Sequence, residues 1–251
     1  MVVDPAARRY LADLVGAARD VLGDDLVGAY AAGSLALDAY EPGRSDIDVA
    51  LVVGDRIPDE HKHRLVARLR HEVLPCPARG LELVAYRRAV ARSGTPDPGF
   101  ELELNTGATM TFRATHRWQD RPESDGRFWY GLDRSILHQS GLRLDGSPAA
   151  ETFTDLAPAD VRLLLVDALT WWLARPVGSA DDAVLGACRS LVKVRDGVWL
   201  SKVAAGRRLA DAGHEPALIA RCISARRGGA PPDPAEARAF QRRVLDEIRG
   251  R

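Results

Sequence analysis

Gly33-Ser34-Leu35-Ala36-Leu37 and, after a loop ending Glu41-Pro42-Gly43-Arg44-Ser45, Asp46-Ile47-Asp48-Val49-Ala50-Leu51-Val52-Val53 form the stretch on which the fold turns. Its second half begins polar and ends apolar, which predicts a strand over 46–53. Residues two apart in a strand share a face, so Asp46 and Asp48 point the same way from its start. Two neighbouring carboxylates repel unless a cation lies between them. Mg2+ suits such hard oxygens, accepts phosphate oxygens as well and retains waters. Gly33-Ser34 sits where a preceding strand gives way to a short helix. Backbone N–H groups point outward there and favour phosphate. Gly33 lets a phosphate approach the chain closely, Ser34 can donate its hydroxyl hydrogen, and Ser45 can do the same from the opposite loop. Taken alone, Ser45-Asp46-Ile47-Asp48 reads more simply as turn residues opening a strand. Gly33-Ser34, with eleven residues between it and Asp46, shifts the reading to chemistry. Phosphate donors facing a metal-binding carboxylate pair predict nucleotidyl transfer, with metal neutralising triphosphate charge.

Outward from this stretch, residues 5–22 carry apolar positions at helical spacing and 26–31 read as a short buried strand. A helix is expected over 59–74, a third strand over 81–86 and a fourth over 101–104. The second half changes character. Helical periodicity runs over 158–174 and 181–200, a charged amphipathic helix covers 235–249, and strand signals are scarce. The organisation expected is α+β, with a mixed-sheet domain over 1–150 followed by an all-helical domain over 151–251.

Composition narrows the classes. The chain has 251 residues, 46% hydrophobic and 28% charged, the balance of a folded protein. Lys+Arg and Asp+Glu are 35 each, which argues against a general nucleic-acid binder. Cys76, Cys188 and Cys222 are odd in number and widely spaced, with no disulfide framework and no metal-finger spacing. A reducing cytoplasm is the expected setting. No apolar run is long enough to span a bilayer, and the Met1-Val2-Val3-Asp4 start is unlike a signal peptide. A chain working as a monomer, without membrane or nucleic-acid partners, is expected.

Gly33-Ser34…Arg44-Ser45-Asp46-Ile47-Asp48, followed by Val49–Val53, resembles the signature of the polymerase-β-like nucleotidyltransferases. Gly80-Leu81-Glu82-Leu83-Val84 resembles the third-carboxylate strand of the aminoglycoside adenylyltransferases that modify streptomycin and spectinomycin. Glu101-Leu102-Glu103-Leu104-Asn105, Asp133-Arg134-Ser135, Gly146–Phe153, Asp182–Leu185 and Gly197–Lys202 are similar to later segments of that family, in order. The resemblance implies a polymerase-β-like first domain and AMP transfer from ATP to an antibiotic hydroxyl. Asp46 and Asp48 would hold Mg2+, and Glu82 would be the general base. Gly33, Ser34 and Ser45 would cradle the phosphates, and Lys202 would reach the triphosphate. A carboxylate in an apolar strand is costly without a partner, which supports Glu82 independently; a buried ion pair is the competing account.

The acceptor implied is cationic, so its surroundings should be acidic. Asp181 and Asp182, opening a helix, are candidates, with helix capping an equal explanation. Glu101 and Glu103 share a strand face and could add negative potential. Three departures from the family pattern count against streptomycin: Gly107 near the position of a tryptophan, Arg175 where an acid is expected, and Ala225-Arg226-Arg227 in place of an adenine-stacking aromatic. A spectinomycin-type acceptor or another hydroxylated amino sugar stays open. His61 and His63 read as an exposed helix face and Trp171-Trp172 as helix packing. The competing class is a non-catalytic nucleotide-binding regulator or antitoxin of the same fold. A lesser one is an enzyme that modifies a protein or nucleic acid.

Overall fold

The structure, a computed structural model, describes residues 4–251; Met1–Val3, the start of the segment unlike a signal peptide, lie outside the described residues. The chain divides into two compact units, one closing at Leu156 and the other covering Ala157–Arg251. The first contains helices α1 (Pro5–Leu22), α2 (Gly33–Ala36), α3 (Asp59–Leu69), α4 (Arg88–Ala91), α5 (Phe128–Ser140) and α6 (Ala149–Thr152). Its strands are β1 (Leu26–Ala31), β2 (Ile47–Val53), β3 (Leu81–Arg87), β4 (Phe100–Thr106), β5 (Arg113–Thr115) and β6 (Leu142–Gly146). They form one sheet in the order β5-β4-β3-β2-β1-β6. β2 and β3 run parallel, and the other neighbouring pairs are antiparallel. The α+β expectation with a mixed sheet therefore holds.

Strand alternation sorts the sheet into two faces. Ala29, Ala31, Val49, Leu51, Leu83, Ala85, Leu102 and Leu104 point one way, into a core shared with Leu11 and Leu14 of α1 and Leu65 and Leu69 of α3. Burying a leucine there contributes roughly 1.5–3 kcal/mol. The Asp4 side chain starts α1 by accepting from Ala6 N and Ala7 N, with Pro5 at the first helical position. The other face buries Tyr30, Ala50, Val52 and Tyr86 beside Tyr130, Leu137 and Phe153, and at one end of the strands it turns polar. Asp46 falls one residue outside β2. α3 stops at Leu69, short of the expected 74, because Arg70 turns extended (ψ 149). β5, β6, α4, α5 and α6 are additional to the elements the sequence suggested.

The second unit is helical throughout: α7 (Pro158–Leu173), α8 (Ala180–Asp196), α9 (Lys202–Asp211), α10 (Pro216–Ala225) and α11 (Pro234–Arg249). α8 ends before the expected residue 200, because Gly197 adopts a left-handed conformation (φ 72) at its C-terminus. Leu169, Val184, Leu185, Leu191, Ile219, Phe240, Val244 and Ile248 make its own core. Cys76, Cys188 and Cys222 are buried free thiols, and burial pushes Cys188 and Cys222 up to about 12. Among the described residues no helix is long and apolar enough to cross a membrane.

Candidate active site

The Gly33-Ser34 turn and the start of β2 meet directly. Ala32 N donates to Asp48 O at 2.9 Å. Gly33 has φ +52, and a Cβ built there would lie 1.8 Å from Asp48 Oδ2. The carboxylate of Asp48 thus rests over the bare Cα of Gly33, and only glycine supplies both the backbone angle and the space. Ser34 Oγ is enclosed with no hydrogen-bond partner among the described residues. A buried hydroxyl left unsatisfied is costly, and this one opens α2 beside a carboxylate. Ser45 acts locally. Its Oγ accepts from Glu41 N at 3.0 Å, and its carbonyl accepts from Arg79 N at 3.1 Å. It braces the loop before β2 and keeps one hydroxyl hydrogen to donate.

Register then carries the site across the sheet. Asp48 on β2 pairs with Glu82 on β3, Glu82 with Asn105 on β4, and Asn105 with Arg113 on β5. Directly paired residues share a face, so these four form a polar row crossing four strands, roughly 14 Å from end to end at ~4.8 Å per strand. Glu82 keeps contact with solvent, yet its carboxyl is pushed up to about 7. Lost hydration is the main cause; the negative charge of Asp46 comes next, Asp133 and Glu103 add to it, and Arg113 opposes them. Exposure and dehydration coexist where water reaches a side chain from one side and protein crowds the other. The Asn105 amide oxygen faces Arg113 Nη2 at 3.0 Å in the orientation that satisfies both groups.

The acids expected to make β4 negative are already matched. Glu101, 8% exposed, has Arg87 Nε at 3.1 Å and the buried Lys62 Nζ at 3.5 Å. Glu103 accepts twice from Arg121 Nη1, at 2.6 and 2.7 Å. It also takes Thr115 Oγ1 at 3.0 Å and Arg113 Nη2 at 3.3 Å. Each carboxylate lies between two cations, so neither supplies the open negative face that the sequence suggested.

In the second unit, Lys202 is the first residue of α9, whose N-cap Ser201 Oγ accepts from Ala204 N at 3.2 Å. Asp182 Oδ1 takes both Lys202 Nζ at 3.2 Å and Arg226 Nη1 at 2.5 Å. Lost hydration lowers the Lys202 ammonium, Asp182 opposes this, and Arg189 and Arg226 repel the charge further. Asp182 joins the first residue of α9 to the end of α10 through Lys202 and Arg226. Arg226 thus has work to do at the position where an adenine-stacking aromatic was expected. Asp181 is 5% exposed and accepts from Ser179 Oγ at 2.6 Å, the arrangement of a residue organising the start of α8.

Three residues emerge that sequence reasoning left without a role: Asn105, Arg113 and Asp133. Alternation along β4 places Asn105 on the face of Glu101 and Glu103, a signal that was there to read. Arg113 lies on a three-residue strand, too short for any periodicity. Gly107, in place of the family's tryptophan, is required by the fold, since a Cβ there would stand 2.5 Å from Arg79 O. His63 lies against His116, ring centroids 4.5 Å apart and planes tilted by 54°. Trp172 stays 45% exposed, while Arg175 covers Trp171 at 3.6 Å.

Among the described residues no three His, Cys, Asp or Glu side chains come together as a ready-made metal site. Asp48, seated against Gly33, and Asp46, whose charge acts on Glu82, are carboxylates of the hard-oxygen type that suits Mg2+ when triphosphate oxygens and water complete its shell.

No protein-family model matches the chain, and no curated protein matches it. Among solved structures, it resembles spectinomycin adenyltransferase AAD(9) from Enterococcus faecialis, determined with ATP and spectinomycin. The TM-score is 0.71 at 16% identity, over 97% of this chain and 99% of that one. The CD-NTase CdnG from Bradyrhizobium diazoefficiens, determined with GTP, is matched at a TM-score of 0.28 and 14% identity, over 99% of this chain and 91% of that one. The first match shows that the two proteins share a fold.

Proposed function

We propose that the chain is an ATP-dependent nucleotidyltransferase that moves AMP onto a hydroxyl of a small-molecule acceptor. The observation that carries this reading is the Asp48–Glu82 pairing across β2 and β3, seated against the Gly33-Ser34 turn. The fold shared with an adenyltransferase supports it.

In this reading the backbone and hydroxyl of Gly33-Ser34 bind phosphate oxygens, with Ser45 bracing the loop opposite. Mg2+ held by Asp46 and Asp48 would supply positive charge to the triphosphate. Glu82 takes the acceptor's proton as the hydroxyl oxygen bonds to the α-phosphorus. The bond from the α-phosphorus to its bridging oxygen breaks, and pyrophosphate leaves with that electron pair. A carboxylate whose proton affinity lies near neutrality is suited to this role. Lys202 and Arg226 are the second unit's candidates for phosphate contact. Spectinomycin, the ligand of the fold neighbour, is the first acceptor to try.

The deciding measurement is pyrophosphate release from Mg-ATP with hydroxylated acceptors, for wild type and Glu82→Gln. Removing the base should slow release by about 10²–10⁴-fold while ATP binding persists. A Glu82→Gln protein that turns over at the wild-type rate, or a wild type that binds ATP and never releases pyrophosphate, would leave a non-catalytic nucleotide-binding protein instead.

A further inference from the structure

Away from the polar row, α3 and the turn after β5 bring two imidazoles together. His63 stands on α3 and His116 directly follows β5, with ring centroids 4.5 Å apart. The contact is built from beneath. Lys62, beside His63 and 1% exposed, donates from Nζ to His116 O at 2.9 Å, which ties the backbone at 116 to α3. The charge of that ammonium is matched by Asp59 Oδ1 at 3.6 Å and Glu101 Oε2 at 3.5 Å. His63 Nδ1 lies 2.7 Å from Asp59 O. A carbonyl only accepts, so Nδ1 carries the proton and Nε2 keeps its lone pair. One ring nitrogen held by a backbone carbonyl, with the other left bare, is the common setting of a metal-ligating histidine. Partial burial, His63 and Lys62 push the His116 imidazolium down, against the pull of Asp59 and Asp120. Both rings therefore favour the neutral form that a metal requires.

The spacing narrows the ion. With metal–nitrogen bonds of about 2.0–2.1 Å, each ring centre would stand ~3.2 Å from a shared metal. Centres 4.5 Å apart then subtend about 90° at it, the cis angle of square-planar coordination and well short of the tetrahedral angle. We infer that His63 and His116 form a surface site for a divalent transition metal of the Cu2+ or Ni2+ type, bound through two cis imidazole nitrogens. Among the described residues no third His, Cys, Asp or Glu completes a cluster with them, so water takes the remaining positions. Imidazole suits these ions and Mg2+ prefers oxygen, which separates this site in chemistry from the Asp46–Asp48 carboxylates. A metal held there joins α3 to the edge of the sheet, and it stabilises the first unit by binding the folded chain in preference to the unfolded one.

The test titrates Ni2+ calorimetrically into the full chain, free of any affinity tag and in excess Mg2+, for wild type, His63→Ala, His116→Ala, the double variant and His214→Ala. Wild type and His214→Ala should bind one Ni2+ alike, and each single variant at 63 or 116 should bind about tenfold more weakly or worse. Cu2+ should bind wild type more tightly than Ni2+, and Mn2+ more weakly. Ni2+ should raise the thermal midpoint of wild type and leave that of the double variant unmoved. His63 is exposed and His116 half-buried, so both variants should melt like wild type in metal-free buffer. Ni2+ affinity retained by both single variants would place the ion elsewhere and overturn the assignment. Wild-type heats no larger than dilution overturn it whatever the variants do.

Discussion

Gly33 and Glu82 concentrate the consequences of single side chains. A methyl at Gly33 must contend with a positive φ, costing roughly 1–2 kcal/mol, and with the Asp48 carboxylate at 1.8 Å. Gly33→Ala is therefore expected to displace Asp48 and lower pyrophosphate release at least ~100-fold, the scale of an ångström misplacement at a reacting centre. Near-normal turnover in that variant would show that Asp48 is not needed where it sits. Glu82 makes a prediction about stability. A carboxyl whose folded pKa stands above its unfolded value binds its proton more tightly when folded. Stability is therefore lost as pH rises from the ordinary carboxyl range to about 7. In metal-free buffer, Glu82→Gln should match wild type near pH 4 and exceed it at pH 8. After discounting for the water that reaches the side chain, the gain is about 1 kcal/mol. Urea midpoints at the two pH values measure it, and equal midpoints at pH 8 would mean that the carboxylate is well hydrated.

Among the elements, β2 and β3 were legible because their apolar runs interrupt at one position each, Asp48 and Glu82, and register makes those two interruptions neighbours. α1 announced itself through Tyr10, Leu11, Leu14, Ala18 and Val21, all buried in the core it shares with the sheet. β5 and β6 did not, since three and five residues on sheet edges carry no usable period. The charge of β4 misled for a different reason. Composition reveals Glu101 and Glu103, but their partners Lys62, Arg87, Arg113 and Arg121 come from scattered positions that only the fold assembles. In the second unit, α9 depends on its cap. Ser201→Ala removes the acceptor for Ala204 N and should cost about 1 kcal/mol of that unit's stability. It should also raise the ATP KM if Lys202 in the first turn binds phosphate. Thermal midpoints and KM values read the two effects separately.

At the scale of the whole molecule, each unit owns an apolar core: Leu51, Leu83 and Leu104 with α1 and α3 in the first, and Val184, Leu191, Ile219 and Phe240 in the second. A chain of about 40 residues or more with its own core can fold alone. Residues 157–251, expressed separately, should therefore give a helical circular dichroism spectrum and a cooperative melt. A fragment that stays unfolded would show that the second core needs the first unit. The thiols of both cores have a practical consequence. Cys76, Cys188 and Cys222 are sunk in apolar surroundings, and two of them stay protonated far above neutrality. Maleimide dyes should ignore the native chain at pH 7. A single new cysteine on an exposed position of each unit would then accept a fluorophore pair without any prior removal of native sulfur, giving an optical ruler for following the chain in solution.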